Sequence, residues 1–195
     1  MPYPVQVEPT ALVRAARELI EQQGLENVSL AMLAAHFNVK APSLYRHFSS
    51  KTDLLRAVNL DTTRELVHAM QTAGSSAQPP AQRMLNMALA YRAYVHQHPA
   101  CYRLAYTHGS PELRPDEAEL LALALPLQAV MAELYSEADS LAALRGVYAL
   151  VHGFVMLEIN HMLQRGGDLE ATFIQVVKAY LAGWPNANGA LPASG

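Results

Sequence analysis

Residues 28–55, VSLAMLAAHFNVKAPSLYRHFSSKTDLL, read as two short helices joined by a tight turn, then the capped start of a third helix. Ser29 stands where its hydroxyl can accept from unpaired backbone N–H groups in the first turn of the first helix. Val28 before that cap and Leu33 at the fourth helical position form a hydrophobic staple. Leu30, Leu33, Ala34 and Phe37 recur at helical spacing on one face. Asn38 falls where a left-handed residue would end the helix, a conformation Asn tolerates better than most residues. Pro42 suits the first position of the second helix, because its missing N–H would have no intrahelical partner there. Together these signals place a helix-turn-helix at about residues 30–49.

The second helix carries a thin apolar edge, Leu44 and Phe48, beside Ser43, Tyr45, Arg46 and His47. A helix so short and so narrowly apolar buries little and leaves most of its surface outside the core. That is the layout of a recognition helix for a DNA major groove. From Asn27 to Thr52 the chain has no Asp or Glu, whereas Lys40, Arg46 and Lys51 are present. Positive charge without competing acids suits a phosphate backbone.

With Gly24 upstream, the run Leu44-Tyr45-Arg46-His47-Phe48, then Ser50-Lys51 and Leu54-Leu55, resembles the DNA-binding segment of the TetR (tetracycline-repressor/AcrR) family over about residues 10–60. The resemblance implies an all-α fold of about nine helices, with a DNA-binding head at 8–60 and an effector-binding and dimerisation domain at 61–184. It implies a homodimer on an inverted-repeat operator, released by a small, largely apolar effector. Ser29, Lys40, Ala41, Pro42, Ser43, Tyr45, Arg46, His47 and Lys51 become the DNA-binding candidates. Of these, Ser43, Tyr45, His47 and Lys51 would hold phosphates, and Lys40, Ala41, Pro42 and Arg46 would reach base edges. The chain departs from the family pattern at three places. There is no basic phosphate anchor near Ala31, Lys40 stands where Ser is frequent, and Pro42 where Gly is frequent. Val151-His152-Gly153-Phe154 further resembles the WHG variety of TetR C-terminal domain, with Val151 in place of Trp.

The whole chain is not a nucleic-acid binder by bulk charge. Its 195 residues are 51% hydrophobic and 16% charged, with a formal net charge of −3. Residues 1–60 carry six Lys/Arg and five acids, a balance of +1, which leaves −4 on the remainder. The apolar content suffices for a core plus an interface. A single cysteine excludes an intrachain disulfide and fits a reducing cytoplasm. The start MPYPVQVEPT lacks the basic and apolar regions of a signal peptide. No apolar run approaches the ~20 residues that span a bilayer, so no membrane partner is expected.

Along the chain the pattern stays helical. Helix one runs from about Thr10 to Gln23 and ends at Gly24 as a left-handed cap. Ser50-Lys51-Thr52-Asp53 reads as a capping box opening helix four. The buried positions of that helix, from Leu54 to Met70, change face along its length, as in a helix that packs on two bodies in turn. The run AGSSAQPP, 73–80, is a break. Helix five follows to about His98, and a short helix covers 101–107. Helix seven covers 116–135 and should kink or split near Ala124, because Pro126 removes a hydrogen bond and clashes with the preceding turn. Helix eight covers 139–164, ending at Gly166-Gly167, and helix nine 169–184. The tail 185–195 reads as disordered.

Helices eight and nine are apolar over broad faces, enough for one face in the chain's own core and another against a partner. Tyr148, Val155, Ile159, Phe173, Val177 and Tyr180 are the expected dimer residues. Met84, Met87, Tyr91, Tyr94, Tyr102, Tyr106, Met131, Tyr135, His152 and Met156 are the candidates for an effector pocket, since Met adapts to irregular ligands and Tyr supplies a polar tip. His96, His98, Cys101 and His108 match no common metal spacing, so no metal or cofactor is expected. No nucleophile–base pair, HExxH or phosphate loop is present, which weighs against an enzyme. Two other readings stay open at this point: a helical dimeric adaptor that no longer reads DNA, and a soluble all-α enzyme.

Overall fold

The computed structural model describes residues 7–107 and 110–184. Among them are nine α-helices and no strand: α1 Pro9–Gln23, α2 Leu30–His36, α3 Pro42–Tyr45, α4 Lys51–Ala73, α5 Pro80–Gln97, α6 Pro99–Thr107, α7 Glu117–Leu134, α8 Glu137–Ile159 and α9 Leu169–Gly183. The expected tail at 185–195 lies outside the described residues, as does His108. The helices form two compact units. The first extends to Glu65 and takes in His98–Glu117; the second holds Leu66–Gln97 and the chain from Ala118 onward.

The first unit is built on the apolar stripe of α1. Leu12, Ala16 and Ile20 are fully buried and meet Leu33 of α2, Leu44 of α3, Leu54 and Val58 of α4, and Cys101 and Leu104 of α6. Residues 98–117, which the sequence reading places after the head, pack with this unit. The reason is polar as well as apolar. The Glu21 carboxylate accepts from the backbone N–H groups of Ala100 (3.1 Å) and Cys101 (2.8 Å), capping the start of α6 from another helix. Asn59 Nδ2 donates to the Leu113 carbonyl at 2.8 Å, and Arg56 Nε to that of Glu112 at 2.8 Å. Tyr102 and Tyr106 stack on each other in this unit, with ring centroids 4.6 Å apart. Burial around the Cys101 thiol pushes its pKa up to about 12, which makes it an inert core residue.

Gly24 ends α1 with φ +82° and ψ 158°, which is not the expected left-handed helical conformation but an extended one open essentially to glycine. Helix α4 is a single helix of 23 residues. Its buried residues Leu54, Leu55 and Val58 belong to the first unit, and Leu66 and Val67 to the second. Ser50 caps its start by accepting from the Asp53 N–H at 3.1 Å. The Asp53 carboxylate accepts from the Ser49 hydroxyl rather than closing the box on Ser50.

In the second unit α5, α8 and α9 pack on one another. Val147, Val151 and Val155 of α8 and Phe173, Val177 and Leu181 of α9 are buried with Leu85, Tyr91 and Val95 of α5. Arg92 and Glu158 form a bidentate pair between α5 and α8, with His96 Nε2 2.9 Å from the same carboxylate. Helix α7 is not split by Pro126. Ala122, whose carbonyl loses its partner, and Pro126 both lie on the exposed face, where water can take the place of the lost bond. Helix α8 ends five residues earlier than its apolar pattern suggests. His161 adopts φ +56°, its N–H meets the Glu158 carbonyl at 3.0 Å, and the Met162 N–H meets that of Leu157 at 2.8 Å. Contrary to the expectation from sequence, α8 is long and apolar enough to cross a bilayer by length and composition, with a mean hydropathy of 1.5. Val147, Val151 and Val155 place one line of that apolarity in the helical core, and 28% of the stretch is buried.

Candidate nucleic-acid interface and ligand cavity

The turn between α2 and α3 is set by two local devices. Ser29 Oγ accepts from the Met32 N–H at 3.2 Å and starts α2. Asn38 adopts φ +52° and ends it, with Asn38 N–H bonded to the Ala35 carbonyl (3.1 Å) and Val39 N–H to that of Ala34 (2.9 Å), a Schellman closure. Helix α3 is only four residues long and has no side-chain cap. It is held by Leu44, fully buried, and by Phe48 just beyond it.

The rest of that segment faces outward. Tyr45 is 54% exposed, and Lys40, Pro42 and Arg46 are exposed beside it. Ala41, Ser43 and His47 are half-buried. Arg46 Nε donates to His47 Nε2 at 3.0 Å. Lys51 is half-buried and its ammonium donates to the Leu25 carbonyl at 3.3 Å, leaving two further N–H donors on the same nitrogen. Ser29 spends its hydroxyl on the α2 cap. Ala31, near which the basic anchor is missing, is exposed. The segment carries three cations, Lys40, Arg46 and Lys51, and Asp53 after it is tied to Ser49, Ser50 and Arg56. The Ser49 hydrogen bond, helped by Ser50 and Arg56, holds the Asp53 carboxyl below its usual range.

The second unit contains a narrow slot among α4, α5, α7 and α8, with a cavity volume of about 40 Å³. Met84 and Tyr91 line it, as the sequence suggests. Met70, Ala88, Leu127 and three residues of α8, Leu144, Val147 and Val151, line it too and were not singled out in the sequence. Tyr148, expected at the dimer interface, is another lining residue. The Tyr91 hydroxyl lies 3.3 Å from His152 Nδ1, and Tyr148 stacks on the His152 ring with centroids 5.7 Å apart. Burial lowers the His152 pKa and favours the neutral ring.

The other pocket candidates are placed elsewhere. Tyr102, fully buried, and Tyr106, half-buried, belong to the first unit and do not line the slot. Met87 packs in the space that a Cβ on Gly74 would occupy. Met131 is fully buried, Tyr94 is buried away from the slot lining, and Met156 is half-buried on the far side of α8. The Tyr135 hydroxyl donates to the Leu181 carbonyl at 2.7 Å. Four dimer candidates need the same correction: Val155, Ile159, Phe173 and Val177 are covered by their own chain. Tyr180 donates to the Ala143 carbonyl at 3.0 Å and fills the place of a side chain on Gly146. A helix apolar all round gives no phase from which to tell its core face from a partner face. Among the described residues no three His, Cys, Asp or Glu side chains cluster as metal ligands.

A capped helix, a closed turn and a second helix left outside the core define a helix-turn-helix regulator head joined to a helical domain with its own cavity. The family model for "Bacterial regulatory proteins, tetR family" matches residues 12–58, and that for "Tetracyclin repressor-like, C-terminal domain" matches 84–180. The chain is 31% identical over 186 residues to the HTH-type transcriptional regulator Rv0681 of Mycobacterium tuberculosis, covering 92% of this chain and 83% of the relative. The chain belongs to the TetR family of transcriptional regulators, which are DNA-binding proteins and not enzymes. Two solved structures share the fold. BioQ with its double-stranded DNA operator has a TM-score of 0.63 at 22% identity, covering 91% of this chain and 99% of that one. A TetR variant from Acinetobacter baumannii AYE in complex with minocycline has a TM-score of 0.65 at 23% identity, covering 91% and 96%.

Proposed function

We propose that this regulator is a ligand-responsive repressor that acts in the cytoplasm and binds an inverted-repeat operator as a homodimer. The observation that carries the DNA reading is the exposure of Tyr45 and Arg46 beside the buried Leu44 and Phe48. In this reading Ser43, Tyr45, His47 and Lys51 hold phosphates, while Lys40, Ala41, Pro42 and Arg46 reach base edges, Arg46 being suited to guanine. Ser29 contributes by fixing the start of α2. BioQ bound to its operator supports the mode, as a protein of the same fold on DNA.

The homodimer reading rests on the second unit. Gly153 lies in the middle of α8, where glycine costs about 1 kcal/mol relative to Ala. A Cβ there would meet nothing within 4 Å of its own chain. Ala142, Ala149 and Leu157 of α8 and Thr172 and Ala179 of α9 are exposed uncharged residues, with Arg145 and Lys178 exposed beside them. A second α8 crossing close at Gly153 would account for the glycine and cover that surface. Two α3 helices in such a dimer would sit about 34–36 Å apart, one DNA turn.

Release by effector belongs to the slot lined by Tyr91 and Tyr148, and the minocycline complex of the Acinetobacter protein supports a ligand in a domain of this fold. Moving the population from about 99% bound to 1% requires ~5.5 kcal/mol of differential affinity, which two effector sites per dimer would share. A salt-titrated gel shift on the DNA upstream of the chain's own gene tests the proposal. The expected result is a retarded complex whose log affinity falls linearly with log salt. Lys51→Ala should reduce that slope by about one. Binding with no dependence on salt or on Tyr45→Ala would favour the adaptor reading.

A further inference from the structure

We propose that His47 is a positioning residue for sequence readout: it tethers the Arg46 guanidinium so that the terminal fork meets guanine, a role separate from any phosphate contact. The inference rests on reading α3 and the residues that follow it as the DNA-recognition segment. Its basis is the hydrogen bond from Arg46 Nε to His47 Nε2 at 3.0 Å. Arg46 is exposed, and among the described residues no carboxylate pairs with it. The chain offers none between Asn27 and Thr52. His47 is the better fixed of the two. It is half-buried, its backbone N–H donates to the Leu44 carbonyl at 2.9 Å, and the buried Phe48 follows it.

The chemistry follows from the donors on each side chain. A guanidinium carries one N–H on Nε and the rest on its two Nη atoms. Binding Nε to His47 leaves the Nη pair free, and that pair is a fork able to meet guanine O6 and N7 together. An exposed arginine without a tether samples many rotamers, and this freedom is lost when the side chain enters a groove. A tether on Nε removes part of that loss before DNA arrives, and it does so for the base contact alone. A ring nitrogen that accepts from Arg46 has no proton to give a phosphate oxygen, so Nδ1 is the His47 atom left for the backbone. The two roles therefore ask for different chemistry at position 47. Readout needs an acceptor facing Arg46, and phosphate needs a donor or a charge. Glutamine supplies the acceptor without charge; lysine supplies charge without an acceptor.

Binding of the full-length chain to a pool of randomised duplexes, sequenced before and after selection, tests this on the parent, Arg46→Ala, His47→Gln, His47→Lys and His47→Ala. The base pair read by Arg46 is the one whose guanine preference disappears in Arg46→Ala. At that base pair the parent and His47→Gln should prefer guanine by about tenfold or more. His47→Lys and His47→Ala should each lose most of that preference. His47→Lys should nevertheless bind the unselected pool at least as tightly as the parent, which also shows that it is folded. Preference kept by the lysine or the alanine variant, or lost in a glutamine variant that still binds the unselected pool, overturns the positioning role and leaves the DNA reading in place. A parent whose preferences are all untouched by Arg46→Ala overturns the inference as well. A parent that binds no duplex even at low salt overturns the DNA reading along with it.

Discussion

Arg92 donates two parallel hydrogen bonds to Glu158, at 2.9 Å from Nε and 2.6 Å from Nη2, across 66 residues of sequence. The Glu158 side chain is only 7% exposed. Burial pushes its carboxyl pKa up, but hydrogen bonds from Arg92 and His96 outweigh burial, and the net shift is downward. Removing one partner leaves a buried charge uncompensated. Arg92→Ala should therefore destabilise the second unit by about 3 kcal/mol in urea unfolding, and Arg92→Met with Glu158→Leu should recover most of that. Because the folded pKa is depressed, the contribution of Glu158 is fully present above its ordinary pKa of about 4.5 and fades as pH falls below it.

His152 gives a second, opposite test of pH. Burial lowers its pKa below the ordinary 6.5, so the native state keeps the ring neutral while the unfolded chain takes up a proton first. Stability should fall as pH drops through about 6.5 and level off below the folded pKa. His152→Gln should remove that part of the pH dependence of the melting temperature between pH 7 and 5, and a profile identical to the parent's would contradict the assignment.

Gly24 has open space where a Cβ would be built, yet its backbone sits at φ +82°. Gly24→Ala should cost about 1–3 kcal/mol through backbone strain alone, with no clash to relieve. Chemical denaturation measures it, and a cost below a few tenths would show that the turn relaxes freely.

Gly153 separates fold from assembly. Its Cβ position faces nothing within its own chain, so Gly153→Arg should leave helix content and melting of the monomer near those of the parent. If a partner helix crosses there, light scattering on the variant should show half the mass and operator binding should weaken by at least tenfold. A dimer of unchanged mass would move the interface elsewhere.

What could be read in advance was local. The Ser29 cap, the left-handed Asn38 and the Leu44/Phe48 edge depend on residues within a turn or two, so their spacing carries them. The return of 98–117 to the first unit depends on Glu21 reaching residues 79 and 80 positions away, and no local pattern encodes that. The core face of α8 could not be told apart in the sequence for a related reason. Val155 and Ala149 are equally apolar, and only tertiary packing shows which is covered. The slot was half legible: Met84 and Tyr91 stand out by chemistry, whereas Ala88 and Val147 are unremarkable residues made relevant by what packs opposite them.

The central claim is that α3 is left outside the core so that duplex DNA can complete its contacts. Selection of random duplexes by the parent protein, followed by anisotropy titration of the recovered sequence against the parent and Arg46→Ala, tests it most directly. The account predicts recovery of an inverted repeat, and a loss of about 1–3 kcal/mol for Arg46→Ala with relaxed preference at one base pair of each half-site. Recovery of no preferred sequence, or equal affinity of the two proteins for it, would contradict the claim.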